Sequence, residues 1–290
     1  MAVLIFGVIN EIHNRSRHVF STIDHTIYQE IGDNAYPEIA KSEDQAPLPI
    51  PPSAAQKGRV MHIPILMYHH VGDVPAHADA VRRGLTVSAA NFEQQVKWLK
   101  DQGYQSVYLN DLKNFAKTGK PAPPAKPLIF TFDDGYDDVF VNAIPILKKY
   151  GYTGAFGIIT NFPGTISGTN TYATWEEIAQ AKTDGFEIVC HTQNHFDGSN
   201  KKFTSDYIFQ NLSGCQQDIK SHLGDAEPIL IYPYGHYTAV YIQQAQKVGF
   251  TMALTVHAGA FINMDDLMEL PRVRVNPNEP MDKFIEKLSR

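Results

Sequence analysis

From about residue 59 onward the chain alternates short apolar runs with segments whose apolar positions recur every three or four residues. The runs at 63–68 (IPILMY), 128–132 (LIFTF), 154–160 (GAFGIIT), 186–190, 229–232 and 251–256 read as strands covered on both faces, and 273–275 as a last short one. Between them, 91–103 places Phe92, Val96 and Leu99 at helical spacing, with Asn91 as N-cap and Gly103 as stop. Helices are also predicted over 143–150, 174–182, 205–223 and 238–248, and from Met281 to the end; Thr174 with Glu177 forms a capping box. Strand followed by helix, repeated about seven times, calls for a parallel sheet with crossover helices. Roughly 230 residues in this pattern suit a closed, distorted (β/α) barrel of about seven parallel strands better than an open doubly wound sheet. No glycine-rich dinucleotide or phosphate-loop fingerprint follows the first strand, which argues further against the open sheet.

The first 58 residues do not share this rhythm. Residues 1–9 are apolar, but they are few and have no basic residue ahead of them, unlike a secretory signal. They read either as a degraded or truncated anchor or as the start of a loose helix running to about residue 31. Pro47, Pro49, Pro51 and Pro52 then form an extended linker. The expected organisation is an N-terminal extension and Pro-rich linker at 1–58 and one domain at 59–290. Membrane association is expected only through the extension, because no run reaches the roughly 18 apolar residues of a span. A formal charge of −6 gives no support to nucleic-acid binding. Cys190 and Cys215 can make at most one bridge; Cys190, with its parity directed away from the next residue, is read as a buried thiol.

In such a barrel, chemistry collects just after the strands. After LIFTF come Asp133, Asp134 and Gly135; after FEIVC come His191, Thr192, Gln193, Asn194 and His195. After ILIY come Pro233, Tyr234 and Gly235; His257 follows one further strand, and His69 and His70 follow the first. His191 and His195, four apart, would project from one face of a helical turn, although such a pair is more often a surface or core feature. Thr192 stands where a metalloprotease helix carries its glutamate base, so a carboxylate must come from elsewhere. Two adjacent acids after a buried strand are costly unless paired or metal-bound; otherwise they cap a turn. Strand alternation points them to opposite sides, so one can ligate a metal with the histidines and the other can act as base. Two histidines and one carboxylate with open positions form a catalytic zinc set.

TFDDG (131–135), HTQNH (191–195) and YPYG (232–235), in this order and spacing, resemble the first three motifs of the polysaccharide deacetylase family, the NodB-homology group or carbohydrate esterase family 4. The opening ILMYHHVG resembles the branch acting on poly-β-1,6-N-acetylglucosamine, and the resemblance spans roughly residues 60–275. It implies Asp133 as catalytic base and Asp134, His191 and His195 as ligands of one divalent ion, most often Zn2+, with Co2+, Ni2+ or Mn2+ as alternatives. It implies that Tyr234 gives its backbone N–H to the oxyanion. Two positions depart from the pattern. Ile231 stands where the family often has the arginine that orients the base, and His257, proposed as general acid, falls earlier than the family's last histidine. His69 competes for the acid's role.

The expected function is therefore removal of N-acetyl groups from N-acetylglucosamine units of an exopolysaccharide or peptidoglycan, outside the cytoplasm. A carbohydrate-binding domain that has lost catalysis would fit the missing arginine, but it would have no need of a free aspartate. An O-acetyl esterase on xylan-like esters would use the same machinery. Trp98 is expected in the core and Trp175 at a helix start, with the polar loop 161–172 contacting substrate.

Overall fold

A computed structural model describes residues 59–290; the extension and linker expected at 1–58 lie outside the described residues. Seven strands form the barrel: β1 (Ile65–Tyr68), β2 (Pro127–Phe132), β3 (Ala155–Ile158), β4 (Glu187–Cys190), β5 (Ile229–Ile231), β6 (Met252–Ala258) and β7 (Leu270–Arg274). Each pairs in parallel with the next, and β7 pairs with β1, so the sheet closes in sequence order.

Closure explains the near-continuous apolar runs. Ile65, Ile129, Ala155, Val189, Ile229, Ile231, Met252, Leu254 and Leu270 alternate inward and pack together inside the ring. Their neighbours Leu66, Phe130, Phe132, Phe156, Ile188 and Leu230 face outward and meet the helices. Those helices are α1 (Ala89–Asp101), α2 (Leu109–Thr118), α3 (Ile144–Tyr150), α4 (Trp175–Thr183), α5 (Ser205–Leu223), α6 (Ala239–Val248) and α7 (Met281–Lys287). The Thr174–Glu177 capping box forms at the start of α4, whereas α1 begins earlier than expected, capped by Ser88 rather than Asn91. Trp98 packs against the core, and Trp175 stacks on His222 with ring centroids 4.1 Å apart.

The local pattern indicates neither the short helix Ala80–Leu85 nor α2, and for α2 the reason is physical. Tyr108 makes no side-chain cap for α2; the carboxylate of Glu187, from β4, accepts Leu109 N–H at 2.7 Å and Asn110 N–H at 2.9 Å. The signal for this helix start is tertiary. The loop 161–172 carries a short hairpin, Ile166–Ser167 against Asn170–Thr171. The reading of Cys190 as a thiol is corrected: it is disulfide-bonded to Cys215. The parity that turns Cys190 away from the barrel mouth aims it at α5, which covers that face of β4.

Candidate active site

At the end of β2 the chain keeps strand parity for one more residue, so Asp133 continues the inward series of Ile129 and Thr131. Asp134 then takes a left-handed conformation, φ 74°. This turn overrides strand alternation: the expectation that the two acids face opposite sides does not hold, and both carboxyl groups lie buried at the barrel mouth. They nevertheless have separate partners.

Asp134 Oδ1 stands 3.1 Å from His191 Nε2 and 3.2 Å from His195 Nε2. The ligand atoms of these three residues all lie within 4.8 Å of one another. The histidines come together without the expected helical turn. Residues 191–195 form a loop in which Thr192 (φ 67°) and His195 (φ 57°) are left-handed, and Thr192 Oγ1 accepts His195 N–H at 2.9 Å. His191 Nδ1 lies 2.8 Å from the Ile231 carbonyl. A carbonyl only accepts, so Nδ1 carries the proton in the neutral ring and the Nε2 lone pair faces Asp134. His195 Nδ1 meets Tyr234 Oη at 3.1 Å.

Asp134 Oδ1 is buried but has no hydrogen bond of good geometry, an arrangement that calls for an ion or another partner. One carboxylate oxygen and two imidazole nitrogens converging on that point fit a divalent cation, and the Ile231 carbonyl and Tyr234 hydroxyl orient the two rings. Burial by itself pushes the Asp134 carboxyl up, but the neighbouring His195 and His191 hold it well below the usual carboxylate range.

Asp133 has a different neighbour. Arg272, on β7, gives Nη1–H to Asp133 Oδ1 and Nη2–H to Oδ2, each at 2.7 Å. Its Nε–H goes to the Thr255 carbonyl at 2.7 Å, and Nη1 also reaches Thr131 Oγ1 at 3.1 Å. Burial raises the Asp133 carboxyl, yet Arg272 more than compensates and leaves it below its ordinary value. Ile231 does not leave Asp133 unsupported; its side chain fills the barrel beneath His191, where a Cβ on Gly157 would come within 2.8 Å of it. The arginine paired with Asp133 comes from another strand, β7. β7 begins at Leu270, before Pro271, rather than at the expected residue 273, and Leu270 and Arg272 are the inward positions this adds.

Tyr234 is left-handed (φ 59°) in the turn after β5, and Gly235 (φ 67°) admits no side chain because a Cβ would overlap Val256. His69 is half-buried between β1 and His70. Burial lowers its pKa, while Asp133 and Asp134 lie close enough to pull it upward. His257 is exposed near the end of β6, its ring 5.9 Å from that of Tyr237. The structure thus gathers Asp133, Asp134, His191, His195, Tyr234 and His69, with Arg272 behind them, and leaves His257 facing solvent. The loop 161–172 rises beside them: Tyr172 bridges to Tyr136, and Asn161 N–H bonds the Gln193 carbonyl at 3.0 Å.

A family profile described as polysaccharide deacetylase matches residues 120–253. A Bacillus subtilis (strain 168) protein named "Putative polysaccharide deacetylase YxkH" is 29% identical over 74% of this chain and 72% of its own length. The poly-beta-1,6-N-acetyl-D-glucosamine N-deacetylase of Escherichia coli O157:H7 is 22% identical over 77% of this chain but only 38% of its own, so this chain spans well under half of that relative. Among solved structures, the Streptococcus pyogenes deacetylase PplD in complex with acetate superposes with a TM-score of 0.69 at 25% identity, covering 79% of this chain and 98% of that one.

Proposed function

We propose that the chain, which matches the polysaccharide deacetylase profile over residues 120–253, is an enzyme of that family and removes N-acetyl groups from N-acetylglucosamine units of a polysaccharide, with poly-β-1,6-N-acetylglucosamine as the leading candidate. The observation that carries this reading is the division between two neighbouring buried acids. Asp134 faces two imidazoles, whereas Asp133 is gripped by a guanidinium.

Asp134, His191 and His195 would hold one divalent ion, zinc in this reading. Bound there, the ion would supply Lewis acidity to the attacking water and the acetyl carbonyl. Asp133, locked in place by Arg272, takes the proton of the attacking water. The Tyr234 backbone N–H supports the carbonyl oxygen as negative charge develops on it. The amide C–N bond then breaks, releasing acetate, and the departing sugar amine takes up a proton. Of the two histidines considered as proton donor, His69 is favoured by its closeness to both aspartates, and His257 is disfavoured by its exposure.

The bidentate Arg272–Asp133 pair favours catalysis over the binding-only alternative, because it supplies Asp133 with an arginine partner despite Ile231. Work outside the cytoplasm is supported by the Cys190–Cys215 disulfide, a bond typical of oxidising compartments. The test is acetate release by metal-loaded protein from poly-β-1,6-N-acetylglucosamine, acetylated chitooligosaccharide and peptidoglycan. Release that is abolished by a chelator and by Asp133→Ala is expected; no acetate from any of the three would overturn the reading.

A further inference from the structure

The loop carrying His191 and His195 is fastened to one face of α5 through residues that are not ligands. Cys190, at its start, is bonded to Cys215, and Cys190 Sγ accepts Thr192 N–H at 3.2 Å. Asn211 Oδ1 accepts Gln193 N–H at 2.9 Å, while Asn211 Nδ2 donates to Asn194 Oδ1 at 2.8 Å. Asn194 Nδ2 in turn donates to Tyr207 Oη at 2.8 Å, and Gln193 Nε2 to Asp218 Oδ2 at 2.9 Å. Gly214 lets the Gln193 side chain lie flat on the helix, because a Cβ there would overlap it. The helix positions used are 207, 211, 214, 215 and 218, which is one continuous helical face. Asn211 and Cys215 are buried.

A loop with two left-handed non-glycine residues persists only where its surroundings over-determine it. We infer that this face of α5, closed covalently by the Cys190–Cys215 bond, is a positioning platform that presets the two imidazoles for the ion before it binds. Asn211 and the disulfide are positioning residues here, contributing to metal affinity and not only to overall stability. The inference rests on the reading that Asp134, His191 and His195 hold the ion.

The experiment is a zinc titration of the full chain against a competing chromophoric chelator, at a temperature far below the melting transition of every variant. The variants are Asn211→Ala and the double variant Cys190→Ala/Cys215→Ala, which leaves no free thiol to bind zinc. Leu147→Ala, a fully buried truncation on α3, serves as a control for general destabilisation. Loss of groups that orient ligands is expected to weaken zinc binding by about 10- to 100-fold in Asn211→Ala and in the double variant. Leu147→Ala should bind as the wild type does, despite a lower melting temperature. If the double variant does not fold, as judged by circular dichroism, Asn211→Ala decides alone. Wild-type affinity in Asn211→Ala, or an equal loss in Leu147→Ala, overturns the inference while leaving the proposed function standing. Failure of the wild type itself to bind zinc overturns both.

Discussion

Arg272 and Asp133 are 139 positions apart in the chain and meet as a two-pronged ion pair at 2.7 Å per contact, both side chains buried. The guanidinium plane matches both carboxylate oxygens, which fixes the orientation of the carboxyl as well as its charge.

Arg272→Lys keeps a positive charge but cannot match both oxygens, so kcat/KM is expected to fall by about 100-fold, a size typical of a misaligned acid–base group. Arg272→Met leaves Asp133 buried without compensation and should cost about 3–5 kcal/mol of stability at neutral pH. Asp133 has a depressed folded pKa, so its contribution is present above the unfolded value of about 4 and fades as pH falls through the lower folded one. Chemical denaturation from pH 7 to pH 3 should therefore show the gap between wild type and Arg272→Met closing at the acid end. A gap independent of pH would show that the pair's electrostatics are not its source.

Asp133→Asn and Asp134→Asn are expected to fail differently. Asp133→Asn should retain the ion and lose about 10²- to 10⁴-fold in turnover, the range for removal of a general base. Asp134→Asn should lose the ion itself. Metal content after dialysis separates them, and equal metal retention in both would contradict the assignment.

His69→Ala should lower acetate release by about 10²-fold or more, whereas His257→Ala should stay within about threefold of wild type. The two histidines differ in surroundings: His69 is half-buried beside the aspartates, and His257 is exposed. A severe loss in His257→Ala with a mild one in His69→Ala would reverse their roles.

Glu187, far from this chemistry in role, should dominate one pH effect. Burial raises its carboxyl to about 7, against the lowering pull of the Asn110 and Leu109 amides. A raised folded pKa means that its contribution is full below the unfolded value and is lost as pH climbs through about 7. Melting temperatures of Glu187→Gln relative to wild type should therefore rise between pH 4.5 and pH 8, assuming the unfolded carboxyl sits at about 4.3. Parallel curves would show that Glu187 ionises normally in the folded chain.

Much of the barrel was legible because it is built from local signals. Six of the seven strands coincide with short apolar runs, and the helices expected to end at 150 and 248 do so, capped by Gly151 and Gly249. The Asp133–Asp134 and His191–His195 clusters were equally visible, since each sits within five residues directly after a strand. The helix starting at Leu109 was not, because its cap comes from Glu187 on another element. The direction of Asp134 and the shape of the 191–195 loop also escaped, because left-handed backbone at Asp134, Thr192 and His195 overrides periodicities of 2 and 3.6 residues.

Residue types and spacing alone therefore determined which elements form and which side chains could bind an ion or move a proton, since burial period, capping and reactivity are properties of short stretches. Ring closure decided the rest. Only when β7 lies against β1 does Arg272 reach Asp133, and only when α5 covers β4 does Cys190 find Cys215. Contacts between residues distant along the chain depend on how the elements pack, which no local pattern encodes.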